Sequence, residues 1–149
     1  MFQGATSLSL DVKGRLAIPA RHREALAAAC QGTLVLTVNP HGCLLLYPLP
    51  AWEPIRDKIL KGPSFDPRSQ SLKRVLVGNA REEEMDAAGR VLLAPELREQ
   101  AELEKSVWLV GMGSHFEIWS DVGWKAQREA AKQALQGDAP PPGFEDFSL

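Results

Sequence analysis

Asp11-Val12-Lys13-Gly14-Arg15-Leu16-Ala17-Ile18-Pro19 returns 75 residues later as Asp86-Ala87-Ala88-Gly89-Arg90-Val91-Leu92-Leu93-Ala94-Pro95. The register holds outside this stretch. Ala5 aligns with Ala80, Leu10 with Met85, Arg23 with Arg98 and Glu24 with Glu99. Tyr47 and Trp52 align with Trp119 and Trp124 at an offset of 72, so the second copy is three residues shorter. One unit written twice in a chain predicts a pseudo-two-fold object with two Asp-x-x-Gly-Arg turns arranged symmetrically.

Each copy holds about 45 residues, too few to bury a sufficient core alone, so the halves are expected to interlock over a shared one. The predicted organisation is a first repeat over 5–51, connecting helices over 52–76, a second repeat over 77–120, and a C-terminal helix with a flexible tail over 121–149. Residues 5–11 alternate in strand period, with Leu8 and Leu10 between Ser7 and Ser9. Gly14 supplies a left-handed position, Asp11 can hydrogen-bond the turn backbone, and 15–18 reads as the returning strand, stopped by Pro19. A helix over 20–29 closes at Gly32. Strands over 33–38 and 43–47 flank the hairpin signal Asn39-Pro40-His41-Gly42. A helix over 50–61 carries Trp52, Ile55 and Ile59 on one face.

The second copy repeats the order: strands over 84–86 and 90–93, a helix over 96–102, strands over 107–110 and 116–119, and a helix over 123–136. Between the copies, Asp66-Pro67 reads as an N-cap followed by proline at the first helical position, opening a linker helix over 69–77. The segment 137–149, with Pro140-Pro141-Pro142, reads as extended or disordered.

Of the 149 residues, 44% are hydrophobic and 24% charged, as in soluble globular chains. No apolar run nears the roughly 20 residues of a membrane helix, and Met1-Phe2-Gln3-Gly4 lacks signal-peptide character. A cytoplasmic protein is expected, with Cys30 and Cys43 reduced and forming neither a disulfide framework nor a zinc site. The net charge of −2 opposes polyanion binding by the whole surface. Its distribution is uneven. Lys13, Arg15, Arg21 and Arg23 face only Asp11 and Glu24 in the first 26 residues, and Arg68, Lys73, Arg74 and Arg81 face only Asp66 over 64–81.

Arg15 and Arg90 leave the turns at the sheet rim, where a guanidinium can donate two coplanar hydrogen bonds to a carboxylate, a phosphate or a guanine edge. Asp11 and Asp86 can instead pair with them as turn staples, and composition leaves both readings open. His22, His41 and His115 lack ligand-spaced partners and read as surface or turn residues. Trp52, Trp108, Trp119, Trp124 and Tyr47 read as packing residues. Glu82-Glu83-Glu84 reads as a solvated strand edge that discourages aggregation. There is no phosphate loop and no catalytic constellation, so an enzyme, a cofactor and a metal are not expected.

Three segments together carry a family resemblance. They are Met1 to Ala5 with Leu10 to Arg21, Leu44-Leu45-Leu46-Tyr47-Pro48-Leu49-Pro50-Ala51-Trp52, and Met85 to Pro95. The chain resembles the MraZ family over nearly its whole length, and each half is similar to AbrB-type swapped-hairpin DNA-binding domains. The resemblance implies an α+β fold of two tandem swapped-hairpin AbrB-like β-barrel repeats with short helices. It also implies a homo-oligomeric ring of eight or more chains. It implies a nucleoid-associated transcriptional regulator of the bacterial division and cell-wall gene cluster, bound to tandem G-rich direct repeats of double-stranded promoter DNA. The implied DNA-binding residues are Arg15 and Arg90 with Asp11 and Asp86, then Lys13, Arg23 and, by repeat symmetry, Arg98. Ala88 replaces Lys13 in the second copy, so the two turns are expected to contribute unequally. Antitoxins use the same swapped-hairpin fold, which makes an antitoxin-like protein-binding module the alternative.

Overall fold

The computed structural model describes residues 1–148. The elements are β1 (Phe2–Ser9), β2 (Arg15–Ala17), α1 (Ala20–Cys30), β3 (Thr33–Val38), β4 (Leu44–Pro48) and α2 (Leu49–Leu60). After them come α3 (Pro67–Leu72), a π-helical turn (Lys73–Val77), β5 (Arg81–Glu84), β6 (Arg90–Leu92), α4 (Pro95–Gln100), β7 (Ser106–Gly113), β8 (Phe116–Ser120) and α5 (Asp121–Ala134). The architecture is α+β, with antiparallel sheets and short helices.

The six-stranded sheet has the order β1-β7-β8-β4-β3-β5, and β2 pairs with β6 in a separate two-stranded ribbon. Equivalent strands of the two copies are related by a pseudo-two-fold axis between β4 and β8. Each copy gives its first strand to the other. β1 lies along β7 from Phe2↔Gly113 to Ser9↔Ser106, and β5 lies along β3 from Thr33↔Glu84 to Leu36↔Arg81. β2 therefore does not return along β1 as a local hairpin, contrary to the sequence reading. It crosses to β6, because Leu16 and Val91 are both fully buried and face each other there. β1 and β5 are the edges of the six-stranded sheet, and the β2–β6 ribbon touches both, β2 against β1 and β6 against β5.

Strand alternation builds three apolar clusters. The main core joins Leu16, Ile18, Leu26, Leu34, Leu36, Leu44 and Leu46 of the first copy to Val91, Leu93, Leu97, Val107, Leu109, Phe116 and Ile118 of the second. Residues one position out of phase face the other side of the sheet. There Val35, Leu45 and Tyr47 lie under Trp52 of α2, while Cys43, Val110 and Trp119 pack with Trp108 of β7 and Trp124 of α5. Asp66 caps α3 by accepting from the Arg68 amide, and buried Thr37 donates its hydroxyl to the Leu76 carbonyl at 2.6 Å, tying the π turn to β3.

Several boundaries differ from the sequence reading. β5 runs over Arg81–Glu84 rather than 84–86, because the swap pairs those residues with β3. It is an edge whose residues are mostly exposed, so the acidic run lies where new strands would otherwise add. β7 continues through Gly111, Met112 and Gly113, which remain paired with Gly4, Gln3 and Phe2. His22 is not a surface residue. It is buried, with ring centroids 5.8 Å from Phe2 and 5.0 Å from Phe116. The part of the tail read at Leu149 lies outside the described residues, and 135–148 holds no helix or strand.

Candidate nucleic-acid interface

The two Asp-x-x-Gly-Arg turns have the same hydrogen bonds. In the first, the Gly14 amide donates to the Asp11 carbonyl at 3.0 Å, and the Lys13 and Arg15 amides donate to Asp11 Oδ1 at 2.9 Å each. Arg15 Nε donates to Asp11 Oδ2 at 2.6 Å. In the second, the Gly89 amide donates to the Asp86 carbonyl at 2.9 Å. The Ala88 and Arg90 amides donate to Asp86 Oδ1 at 3.0 and 2.8 Å, and Arg90 Nε donates to Asp86 Oδ2 at 2.9 Å. Gly14 and Gly89 have φ of +81° and +78°, a conformation that costs a residue with a Cβ. Each turn is a type I turn followed by a left-handed glycine, which directs the next side chain out at the strand start.

The carboxylates stay ionised. The Arg15 amide lowers Asp11 most; desolvation, next in size, opposes it, and the Arg15 guanidinium and the Lys13 amide add to the lowering, which brings Asp11 to about 2. Asp86 is likewise lowered, chiefly by the Arg90 amide.

The ribbon sets where the arginines point. Leu16 and Val91 face the core, so Arg15, Ala17, Arg90 and Leu92 share the outer face. Arg15 stands opposite Leu92, and Arg90 opposite Ala17. Arg15 and Arg90 are thus diagonal neighbours, with Cα atoms roughly 7–8 Å apart by cross-strand geometry. Both side chains are part-exposed, at 28% and 39%. The staple of the sequence reading exists, but it uses one nitrogen per guanidinium. Among the described residues the terminal Nη1 and Nη2 groups of Arg15 and Arg90 donate to no protein acceptor.

The structure also brings Arg23 and Arg98 to the turns, by a route the repeat symmetry hid. Arg98 Nε donates to the Leu93 carbonyl at 2.9 Å, and Arg23 Nε donates to the Ile18 carbonyl at 2.6 Å. Each guanidinium then lies over the glycine of the opposite copy's turn. A Cβ on Gly14 would stand 2.6 Å from Arg98 Cζ, and one on Gly89 would stand 2.6 Å from Arg23 Cδ. The backbone repeats the exchange: the Leu93 amide donates to the Gly14 carbonyl at 3.0 Å, and the Ile18 amide to the Gly89 carbonyl at 2.8 Å. Lys13 is exposed at the first turn tip, and fully exposed Val12 lies beside it. Val12 carries no charge or motif signal in the sequence; Ala87 and Ala88 stand in these places in the second turn.

These observations define a class: a tandem-repeat α+β protein whose copies exchange strands and present two arginine turns on a shared ribbon. A family model described as "MraZ protein, putative antitoxin-like" matches residues 1–75 and again 76–139. The chain is 68% identical to the "Transcriptional regulator MraZ" of Dechloromonas aromatica (strain RCB), with each protein covered in full. It is 66% identical to that of Aromatoleum aromaticum and 60% identical to that of Azoarcus sp. (strain BH72), again over the full length of both. The chain belongs to the MraZ family.

Proposed function

We propose that this protein is a transcriptional regulator that binds double-stranded DNA with the outer face of the β2–β6 ribbon. The observation that carries the reading is the state of Arg15 and Arg90. Each is held by Nε to an ionised aspartate, while its part-exposed side chain keeps terminal nitrogens with no protein acceptor among the described residues. Two such nitrogens match O6 and N7 of guanine, the commonest specific base contact in the major groove, which a two-stranded ribbon can enter. The fixed guanidiniums lose little side-chain freedom on binding. The names of the relatives support regulation of transcription.

The finer reading follows the family resemblance. The target is a set of tandem G-rich direct repeats before the division and cell-wall gene cluster, and the protein acts in the cytoplasm at the nucleoid. A homo-oligomeric ring of eight or more chains repeats a weak site of few basic groups, and tandem boxes convert that repetition into avidity. This reconciles DNA binding with a net charge of −2. Lys13 adds a cation to the first turn only.

Fluorescence anisotropy on a duplex of tandem G-rich repeats and on its scrambled counterpart tests the proposal. The protein should prefer the first, and Arg15→Ala should remove most of the preference while oligomer size is kept. Equal affinity for the two duplexes refutes the reading. Unchanged preference in Arg15→Ala with a lowered melting temperature would make the turn a staple only.

A further inference from the structure

Arg23 and Arg98 differ from Arg15 and Arg90 in one electrostatic respect. Arg15 and Arg90 are each neutralised by an aspartate. Arg23 and Arg98 form no ion pair among the described residues and are anchored only through Nε on a neutral carbonyl. A paired arginine is a directional donor with little net charge. An unpaired one held at a fixed place is a point of positive potential that favours an anion. Arg98 also lines a groove of about 340 Å³ with Asp11, Val12, Gly14, Glu104 and Lys105, and the two cations place the anion-binding end of that groove beside the first turn.

We propose that the protein grips DNA with two composite units, each joining the base-reading turn of one repeat to a phosphate clamp from the other. Arg15 works with Arg98, and Arg90 works with Arg23. The inference rests on the DNA-binding reading above and deepens it: the arginine that serves a turn comes from the copy that does not contain that turn. The physical reason is the strand exchange. Ile18 and Leu93 donate their amides to the opposite turn's glycine carbonyl, so the carbonyls that anchor Arg23 and Arg98 are set against that opposite turn. Each guanidinium is seated on a glycine without a Cβ, and the emerging arginine of that turn is the next residue in the chain. A guanine edge and its flanking phosphate can then be held together, which fixes the register of base contact by backbone contact.

The test measures the affinity of the full chain for the G-rich and scrambled duplexes across a chloride series. The variants are Arg15→Ala, Arg98→Ala, Arg98→Lys, Arg23→Ala and the doubles Arg15→Ala/Arg98→Ala and Arg15→Ala/Arg23→Ala. Oligomer size and melting temperature are recorded on every sample. Arg98→Ala should reduce the slope of log affinity against log salt by about 0.9 per engaged site, the signature of one lost phosphate contact, while a preference for the G-rich duplex survives. Arg98→Lys should keep the slope. Arg15→Ala should lose the preference for the G-rich duplex, and any change in its slope comes from the Asp11 carboxylate left without its partner. In the doubles, Arg15→Ala/Arg98→Ala should fall short of the product of its single losses by at least about threefold, the behaviour of groups in one unit. Arg15→Ala/Arg23→Ala should lose the full product. The proposal is overturned if Arg98→Ala and Arg23→Ala leave the salt slope intact in the folded protein. It is equally overturned if the coupling appears in the same-repeat double instead. If the unaltered protein shows no duplex preference at any salt, the reading beneath the proposal falls, and the proposal with it.

Discussion

Expressed alone, residues 1–62 should not fold cooperatively as a monomer. The truncation keeps β1 to β4 but removes every second-copy partner. β1 loses its pairing with β7 from Phe2↔Gly113 to Ser9↔Ser106, and β2 loses β6. β4 loses β8, and β3 loses β5. What remains is the β3–β4 hairpin, Leu34↔Pro48 to Val38↔Leu44, and a lone hairpin is marginal in water. The core loses Val91, Leu93, Leu97, Val107, Leu109, Phe116 and Ile118, each 2% exposed or less. At roughly 1.5–3 kcal/mol per buried large apolar side chain, these contribute about 10–20 kcal/mol of gross apolar stabilisation. That matches or exceeds the roughly 5–15 kcal/mol net stability of an ordinary domain. Circular dichroism during urea titration should show a broad, non-sigmoidal loss of signal at low micromolar concentration. Adding 63–149 should restore a sharp transition, and so should raising the fragment concentration, since a second copy of the fragment offers an equivalent strand exchange. A sharp, concentration-independent transition of a monomeric 1–62 would refute the interlocked-core reasoning.

Gly14→Ala should destabilise by roughly 1–2 kcal/mol, the cost of a left-handed residue with a Cβ, and should also unseat Arg98; thermal melting and the salt slope of DNA binding check the two effects. Arg90→Ala should lower duplex preference slightly less than Arg15→Ala, because Ala88 offers no cation where the first turn has Lys13; parallel anisotropy titrations read the order. Carbon-detected NMR titration should place the Asp11 carboxyl at about 2, and Arg15→Ala should raise it only in part, because the largest lowering comes from the backbone amide that alanine keeps. His22 is held below its ordinary 6.5 by burial and then by Arg21, so the unfolded chain binds the extra proton. Its contribution to stability is therefore intact above about pH 6.5 and lost as pH falls through the lowered native value. Urea midpoints should follow that slope, and His22→Phe should reduce it, leaving the part due to His115, also lowered by burial.

The turns were legible because their chemistry is local: Asp11 and Asp86, a glycine and an arginine within five residues specify one hydrogen-bond pattern wherever the strands go. The hairpin at Asn39 to Gly42 was legible for the same reason. Strand periodicity alone does not show the exchange, because β1 and β5 have the same alternation whether they pair within a copy or across copies; the swapped hairpins implied by the family resemblance point to it, and the burial of Leu16 against Val91 carries it. β5 was misplaced because Arg81 to Glu84 is uniformly polar and carries no period. His22 read as a surface residue because a helix rich in alanine shows little amphipathic contrast; Phe2 and Phe116, far away in sequence, are what bury it. Arg23 and Arg98 were nameable as a symmetric pair, but symmetry is silent on whether each serves its own turn or the other copy's.

The central claim is that Arg15 and Arg90 read guanine. Replacing guanine by 7-deazaguanine in the G-rich duplex removes the N7 acceptor and leaves the phosphates untouched. Each bidentate contact carries roughly 1–3 kcal/mol of discrimination. The full-length protein should therefore lose affinity for the substituted duplex by at least about fivefold at fixed salt. The Arg15→Ala/Arg90→Ala protein should bind both duplexes with the same, weaker affinity. An unaltered protein that binds the two duplexes equally would contradict the account.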